Sequence, residues 1–420
     1  MRVHCVGVGS IGSLVAFHLR RCNPVPDHEF TLLLRNRSSS LWRPVGPASA
    51  ARNLIYVEAD GVRRRIGGFG VETLDGTKEA LSQIPIRGGR EANRPSHLPP
   101  LPELDAIRTQ TPPPIIQSLI VTNKAGTTLL ALQALRSRLN ASSTIVLLQN
   151  GMGVHEHLVQ TLFTDPDTRP NFIIASTTHG VWSKRPLDVV HAGVGTIQFS
   201  IVPDPLGRRN FEARFPPSLA SESSPTAEDT RIDAISTART REDDPKFYSL
   251  SETVHVLLRA QNDLGVSWLP MAEMEVVLRK KLAINACVGP ITALIDCPNG
   301  ALYGNMSANR IVRSVCSEAA DVFAAQAEAE VARGKLLHKS WAASLSRRAL
   351  EEATMAVLRA TSRNYSSMLT DVRNGKVTEI EYINGYLSRT GSILGVDTPT
   401  NTTLMELIRM KRSIPSPHVR

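Results

Sequence analysis

Two stretches in the second half of the chain carry residues whose types and spacing suit proton transfer. In RKKLAINACVGPITALIDCPNGAL, Lys281 and Asn285 stand four apart and would share one face of a helix. Lys281 is followed by Leu282, Ala283 and Ile284. A partly desolvated ammonium in such apolar surroundings can act as a proton donor. The same pattern describes a lysine snorkelling at the edge of a core, which is the commoner outcome for these residues alone. In NYSSMLTDVRNGKVTEIEYINGYL, Ser367 and Asp371 are again four apart and could point into a cleft. Thr378 and Glu381 fit a capping box for a second helix, and Glu379 between them could fix a catalytic group. Taken singly, each reads more simply as a cap or a solvated polar group.

Two further polar residues follow β-prone runs. Lys124 comes after LIVTN and Asn150 after TIVLLQ. In an open parallel sheet, ligands bind beyond the carboxyl ends of the strands, so both stand where a cofactor and a substrate would meet. Ordinary loop polarity explains them equally well.

These residues need a scaffold, and the first twenty residues begin one. Gly7, Gly9 and Gly12 have G-x-G-x-x-G spacing between the apolar run Val3–Val6 and a helical pattern of Leu14, Val15, Phe17, His18 and Leu19. Gly7 would permit the tight turn, Gly9 a close approach of a pyrophosphate, and Gly12 close helix–strand packing. The stretch Gly7, Val8, Gly9, Ser10, Ile11, Gly12 would then present the helix N-terminus to phosphate. The next run, Phe30–Leu34, ends in Arg35 with no acidic residue after it. An acidic residue there would hold ribose hydroxyls, whereas an arginine suits a 2′-phosphate, so NADPH is the better expectation than NADH.

Strand and helix patterns alternate from there: Ile115–Thr122, a helix face of Leu129, Leu132, Leu135 and Leu139, then STIVLLQNG and another helix. That order implies a doubly wound parallel sheet. A Gly/Pro/Arg/Ser-rich stretch at about 67–114 reads as an insertion, and 204–246 as a disordered insertion or linker. From 247 to 420 the pattern is helical, rich in Ala, Glu, Leu and Arg. The expected plan is α/β: a Rossmann-type domain over 1–203 followed by an all-helical domain.

Composition excludes several classes. The 420 residues are 42% hydrophobic and 21% charged, as in ordinary globular proteins. No run approaches the roughly 18 apolar residues of a membrane span. The strand pattern starts almost at Met1, so no leader is expected before it and a cytoplasmic location is the default expectation. Five widely spaced cysteines form no C-x-x-C pair and no metal spacing. The net charge of +9 comes from scattered arginines without interleaved aromatics, which suits anionic small molecules better than nucleic acid.

Together GVGSIG, the arginine ending the second strand, Lys124, LQNGMG, THGV with VHAGVGT, KLAIN with CPNG, and SSM with TEIEYINGYL resemble the ketopantoate reductase family, in the family's order. The resemblance implies NADPH as hydride donor, a 2-oxo acid substrate, and an active site between the two domains. It implies Lys281 as general acid, Glu379 as the acid of the site, and Asn150, Asn285, Asn299 and Ser367 as substrate contacts. It also implies the glycine turn, Arg35, Lys124 and Asn150 as cofactor contacts. No nucleic acid or membrane partner is implied, and a homodimer stays open. One departure stands out. Where the family often has asparagine before Pro-[LIV]-Thr-Ala, this chain has Gly289. That glycine and the insertions leave room for a paralogue acting on another 2-oxo acid. A silent NADP-binding regulator on the same fold is the other alternative, and the full set of Lys281, Asn285, Ser367 and Glu379 argues against it.

Overall fold

The computed structural model describes residues 1–24, 27–34, 54–74, 114–204, 245–335 and 337–414. Arg35 and most of the two proposed insertions lie outside the described residues.

The opening run is β1 (Arg2–Val6), and the turn after it leads into helix α1 (Ser10–Cys22). The helix stops ahead of Pro24, where the Asn23 side-chain amide donates to the Leu19 carbonyl at 2.8 Å. Strands β2 (Glu29–Leu34), β6 (Ser118–Val121), β7 (Thr144–Leu147) and β8 (Asn171–Thr177) continue the parallel sheet. Helix α2 (Ala125–Ala134) follows β6, and α3 (Val154–Thr161) follows β7. The leucine face expected over 129–139 begins in α2 and finishes on a 3₁₀ turn, Arg136–Arg138, with Leu132, Leu135 and Leu139 buried. β6 and β7 are buried at every position, as strands covered on both faces must be.

Two expectations about boundaries are corrected. The stretch at about 67–114 does not begin as a loop. Phe69–Thr73 form β5, which pairs in parallel with β2 from Phe30↔Phe69 to Leu34↔Thr73. The Phe69 ring is buried, and this burial outweighs a glycine-rich sequence. Nor does the sheet domain end at 203. After β11 (Ile197–Ile201), helix α4 (Pro245–Leu258) and strand β12 (Val266–Trp268) return to the sheet, β12 pairing with β11. The boundary read at 247 lies instead at Met271. The full order is β12-β11-β8-β7-β6-β1-β2-β5, with β8 and β11 the one antiparallel neighbour pair. A smaller sheet of β4 (Val62–Ile66), β3 (Ile55–Ala59), β10 (Asp188–Gly193) and β9 (Gly180–Arg185) packs on α1.

The remainder is helical: α5 (Met271–Ile295), α6 (Met306–Ala332), α7 (Arg347–Ala360), α8 (Ser367–Arg373), α9 (Asn384–Leu394) and α10 (Pro399–Ser413). Leu282, Val312, Val315, Phe323, Leu350 and Leu387 fill its core at 1% exposure or less. Burial of each large apolar side chain stabilises by roughly 1.5–3 kcal/mol. Pro290 lies inside α5 and has no N–H for the Ala286 carbonyl four residues back. The Asn384 side chain donates to that carbonyl at 3.0 Å, tying α9 to the interruption. The capping box expected at Thr378 and Glu381 does not form. The chain makes a 3₁₀ turn, Ile380–Tyr382, without a side-chain cap, and Glu381 pairs with Arg409 at 2.6 Å. Among the described residues no helix is long and apolar enough to cross a membrane.

Candidate active site

Parallel strands β6, β1 and β2 leave the sheet with their carboxyl ends on one edge, and the order reverses between β1 and β6. That switch point opens a crevice. The glycine turn sits on it. Gly7 has φ +86°, and a Cβ there would lie 2.1 Å from the Asn123 nitrogen. A Cβ on Gly12 would lie 2.5 Å from Thr122 Oγ1 and 2.6 Å from the Gly7 carbonyl oxygen. Gly9 differs: it is exposed, and a Cβ would meet nothing closer than 3.8 Å. The first two glycines named are thus required by the protein's own packing, and Gly9 leaves the approach clear. Val8 and Ile11 pack against the core, while Ser10 opens α1. The first-turn N–H groups lack helical partners, and no acidic side chain competes for them. This cradle fits a phosphate-bearing cofactor.

Lys124, Asn150 and Ser176–Thr177 follow or end β6, β7 and β8, so three neighbouring strands each bring polar groups to the same edge. Helical-domain side chains meet them. Lys124 Nζ donates to Asp371 Oδ2 at 2.7 Å and to Glu379 Oε2 at 3.5 Å. Glu379 also accepts from the Ala125 N–H at 3.2 Å, at the positive end of α2, and from Asn150 Nδ2 at 3.3 Å. Burial opposes the Lys124 charge, but Glu379 and Asp371 outweigh it and hold its pKa above the ordinary lysine value. Burial holds the Asp371 carboxyl above its ordinary range despite Lys124.

A backbone clasp lies beside this cluster. The Met152 N–H donates to the Tyr382 carbonyl at 2.8 Å, and a Cβ on Gly151 would come within 2.4 Å of that same oxygen. The turn after β7 therefore admits only glycine where it meets the helical domain.

Lys281 points elsewhere. Its Nζ donates to Ser176 Oγ at 3.1 Å and to the Thr177 carbonyl at 2.8 Å. Burial pushes its pKa down to about 8, and Glu379 acts in the opposite direction through space. Glu379, which the sequence offers as a group that could fix a catalytic residue, hydrogen-bonds to Lys124, Ala125 and Asn150 and not to Lys281. Asn285 is half-buried and Ser367 exposed, and neither side chain bonds to a described residue. Ser366 caps α8, accepting from the Leu369 N–H at 3.0 Å. Asn299 is buried in the turn Asn299–Leu302 and donates to Thr361 Oγ1 at 2.9 Å, while its Oδ1 has no partner among the described residues. Ser176, Tyr382 and the Lys124–Asp371 pair escaped the sequence reading. A hydroxyl at the end of a buried strand was the one available signal for Ser176.

A Rossmann-type sheet with a helical domain across its carboxyl edge is an architecture that binds a dinucleotide at the switch point. The family description "Ketopantoate reductase PanE/ApbA" matches residues 77–204, and its C-terminal counterpart matches 273–412. A Schizosaccharomyces pombe protein named probable 2-dehydropantoate 2-reductase is 27% identical over 97% of this chain and 96% of its own length. The Escherichia coli O157:H7 2-dehydropantoate 2-reductase is 27% identical over 70% of this chain and 74% of its own. Two solved structures share the fold. D-mandelate dehydrogenase with NADH and anilino(oxo)acetate has a TM-score of 0.61 at 16% identity, covering 98% of each chain. The 2-dehydropantoate 2-reductase of Methylococcus capsulatus has a TM-score of 0.59 at 15% identity, covering 99% of each. This chain belongs to the ketopantoate reductase family and is an oxidoreductase.

Proposed function

We propose that this chain catalyses the NADPH-dependent reduction of 2-dehydropantoate to pantoate, with Lys281 as the general acid. The observation that carries the reading is Lys281 itself: an ammonium with a pKa of about 8, held at the end of β8 by neutral oxygens. A pKa near the working pH is what a proton donor needs. The glycine turn from Gly7 to Gly12 would hold the pyrophosphate, with Arg35 on the 2′-phosphate. Bound NADPH would supply the hydride.

Lys281 Nζ stabilises the charge developing on the ketone oxygen and transfers a proton to it. Asn150, Asn285 and Ser367 hold the carboxylate and hydroxyl groups of the substrate, which aligns its carbonyl. Asn299 would join them through its unpartnered Oδ1. Lys124 contacts the cofactor only by loosening its present ion pairs.

A second reading, reduction of a different 2-oxo acid, is favoured by Gly289. A Cβ there would lie 3.2 Å from Met368 Cε, so an apolar side chain lies where the family asparagine would extend. The test is NADPH oxidation over a panel of 2-oxo acids. The first reading expects kcat/KM for 2-dehydropantoate at least tenfold above every other member. A higher value for an apolar 2-oxo acid selects the second reading, and no oxidation with any member rejects both.

A further inference from the structure

Lys281 belongs to the helical domain, yet both acceptors that hold its ammonium belong to the sheet domain. Ser176 and Thr177 close β8, opposite Gln198 and Ile197 of β11. Ser176 is 5% exposed, so its hydroxyl is not a surface group that lies near by chance. The strand end is itself pinned. Thr177 Oγ1 accepts from the His179 N–H at 3.2 Å. The His179 ring meets the Leu264 carbonyl at 3.0 Å through Nε2, and at Nδ1 accepts from the Gly195 N–H at 2.9 Å. His191 Nε2 lies 3.0 Å from that same Nδ1.

We propose that Ser176 is a positioning residue for the reaction: its hydroxyl, with the Thr177 carbonyl, forms a seat that draws the Lys281 ammonium to the strand ends. The proposal rests on Lys281 being the proton donor. Both seat groups are neutral acceptors, so they direct the ammonium without cancelling its charge. A carboxylate in the same place would hold the proton more tightly. Glu379 is the charged group that acts on Lys281, and it does so without contact. His179 and His191 stand behind the seat, bound to each other and to backbone. Lys124 and Asp371 face one another.

Removing the hydroxyl takes one acceptor from the ammonium, and a hydrogen bond to the charged form favours that form. The lysine pKa should therefore fall, and the protonated fraction should be lost at lower pH. The experiment compares wild type, Ser176→Ala and Ser176→Thr in two ways, with Lys281→Ala as the control in the kinetic one. One is the pH dependence of kcat and KM from pH 6 to 10. The other is competitive acetylation of Lys281 with acetic anhydride across the same range, read by mass spectrometry, which needs no turnover. Thermal melts confirm folding.

In Ser176→Ala, the fall of kcat with rising pH should move down by about half a unit to one unit. The acetylation pKa should move with it, KM should stay within about twofold, and Ser176→Thr should restore the wild-type profile. An unchanged acetylation pKa in Ser176→Ala overturns the seat. An acetylation pKa that falls while no variant shows a kinetic limb rejects Lys281 as the acid, and the positioning role with it.

Discussion

Two lysines reach the same sheet edge, and their surroundings differ in kind. Lys124 sits at the N-terminus of α2 against two carboxylates, Asp371 and Glu379, and its pKa is held up. Lys281 comes from α5, meets a hydroxyl and a carbonyl, and its pKa is pushed down to about 8. Proximity to acid makes the first a stable cation that joins the two domains. Burial without a contacting acid leaves the second poised to lose its proton. A cation in a cleft is therefore not by itself a proton donor; the charge of its acceptors decides.

The largest test of this contrast is removal of Lys281. Lys281→Ala should lower kcat by roughly two to four powers of ten, the usual worth of a positioned acid, with NADPH binding little changed. Lys281→Arg should rescue poorly, because a guanidinium stays protonated and has another shape. In the wild type, kcat should fall as pH rises through about 8, since the neutral amine has no proton to give. Lys280 is exposed on the next helical position and serves as the control, with Lys280→Ala nearly silent. A large effect at Lys280 instead would move the acid to the wrong side of the helix.

The next effect concerns the cofactor rather than the proton. Arg35→Asp should weaken NADPH by roughly ten- to a hundredfold relative to NADH, the worth of a charge-assisted phosphate contact. Equal losses for the two cofactors, measured by fluorescence titration, would remove Arg35 from the 2′-phosphate.

The smallest effect should come from Asp371→Asn. Burial already disfavours the Asp371 carboxylate, so the ion pair contributes little net stability; Lys124 keeps Glu379, and the loss should be about 1 kcal/mol or less. The high-pH limb of kcat should not move, because Asp371 does not act on Lys281. A shift of that limb would mean the two lysines titrate together, and the contrast between them would collapse.

The chain's own sequence determined what depends on near neighbours. The glycine turn was legible because strand, turn and helix are contiguous; a Cβ at Gly7 would collide with Asn123, and one at Gly12 with Thr122 and the turn's own backbone. Lys281 and Asn285 were placed on one helical face by spacing alone, since α5 repeats every 3.6 residues. The alternation of strands and helices fixed the α/β plan. Tertiary structure decided what lies far apart in the chain. Phe69–Thr73 became a strand because β2 offered it a parallel edge to pair with and the Phe69 ring a buried place, against its local composition. Val266–Trp268 returned to the sheet for the same reason. Lys124 and Asp371 are 247 positions apart, and Lys281 and Ser176 are 105 apart, so no local pattern could pair them. Which acid meets which lysine is set by how the helical domain lies across the strand ends, and Glu379 reaches Lys124 because α2 also presents it a free N–H at Ala125.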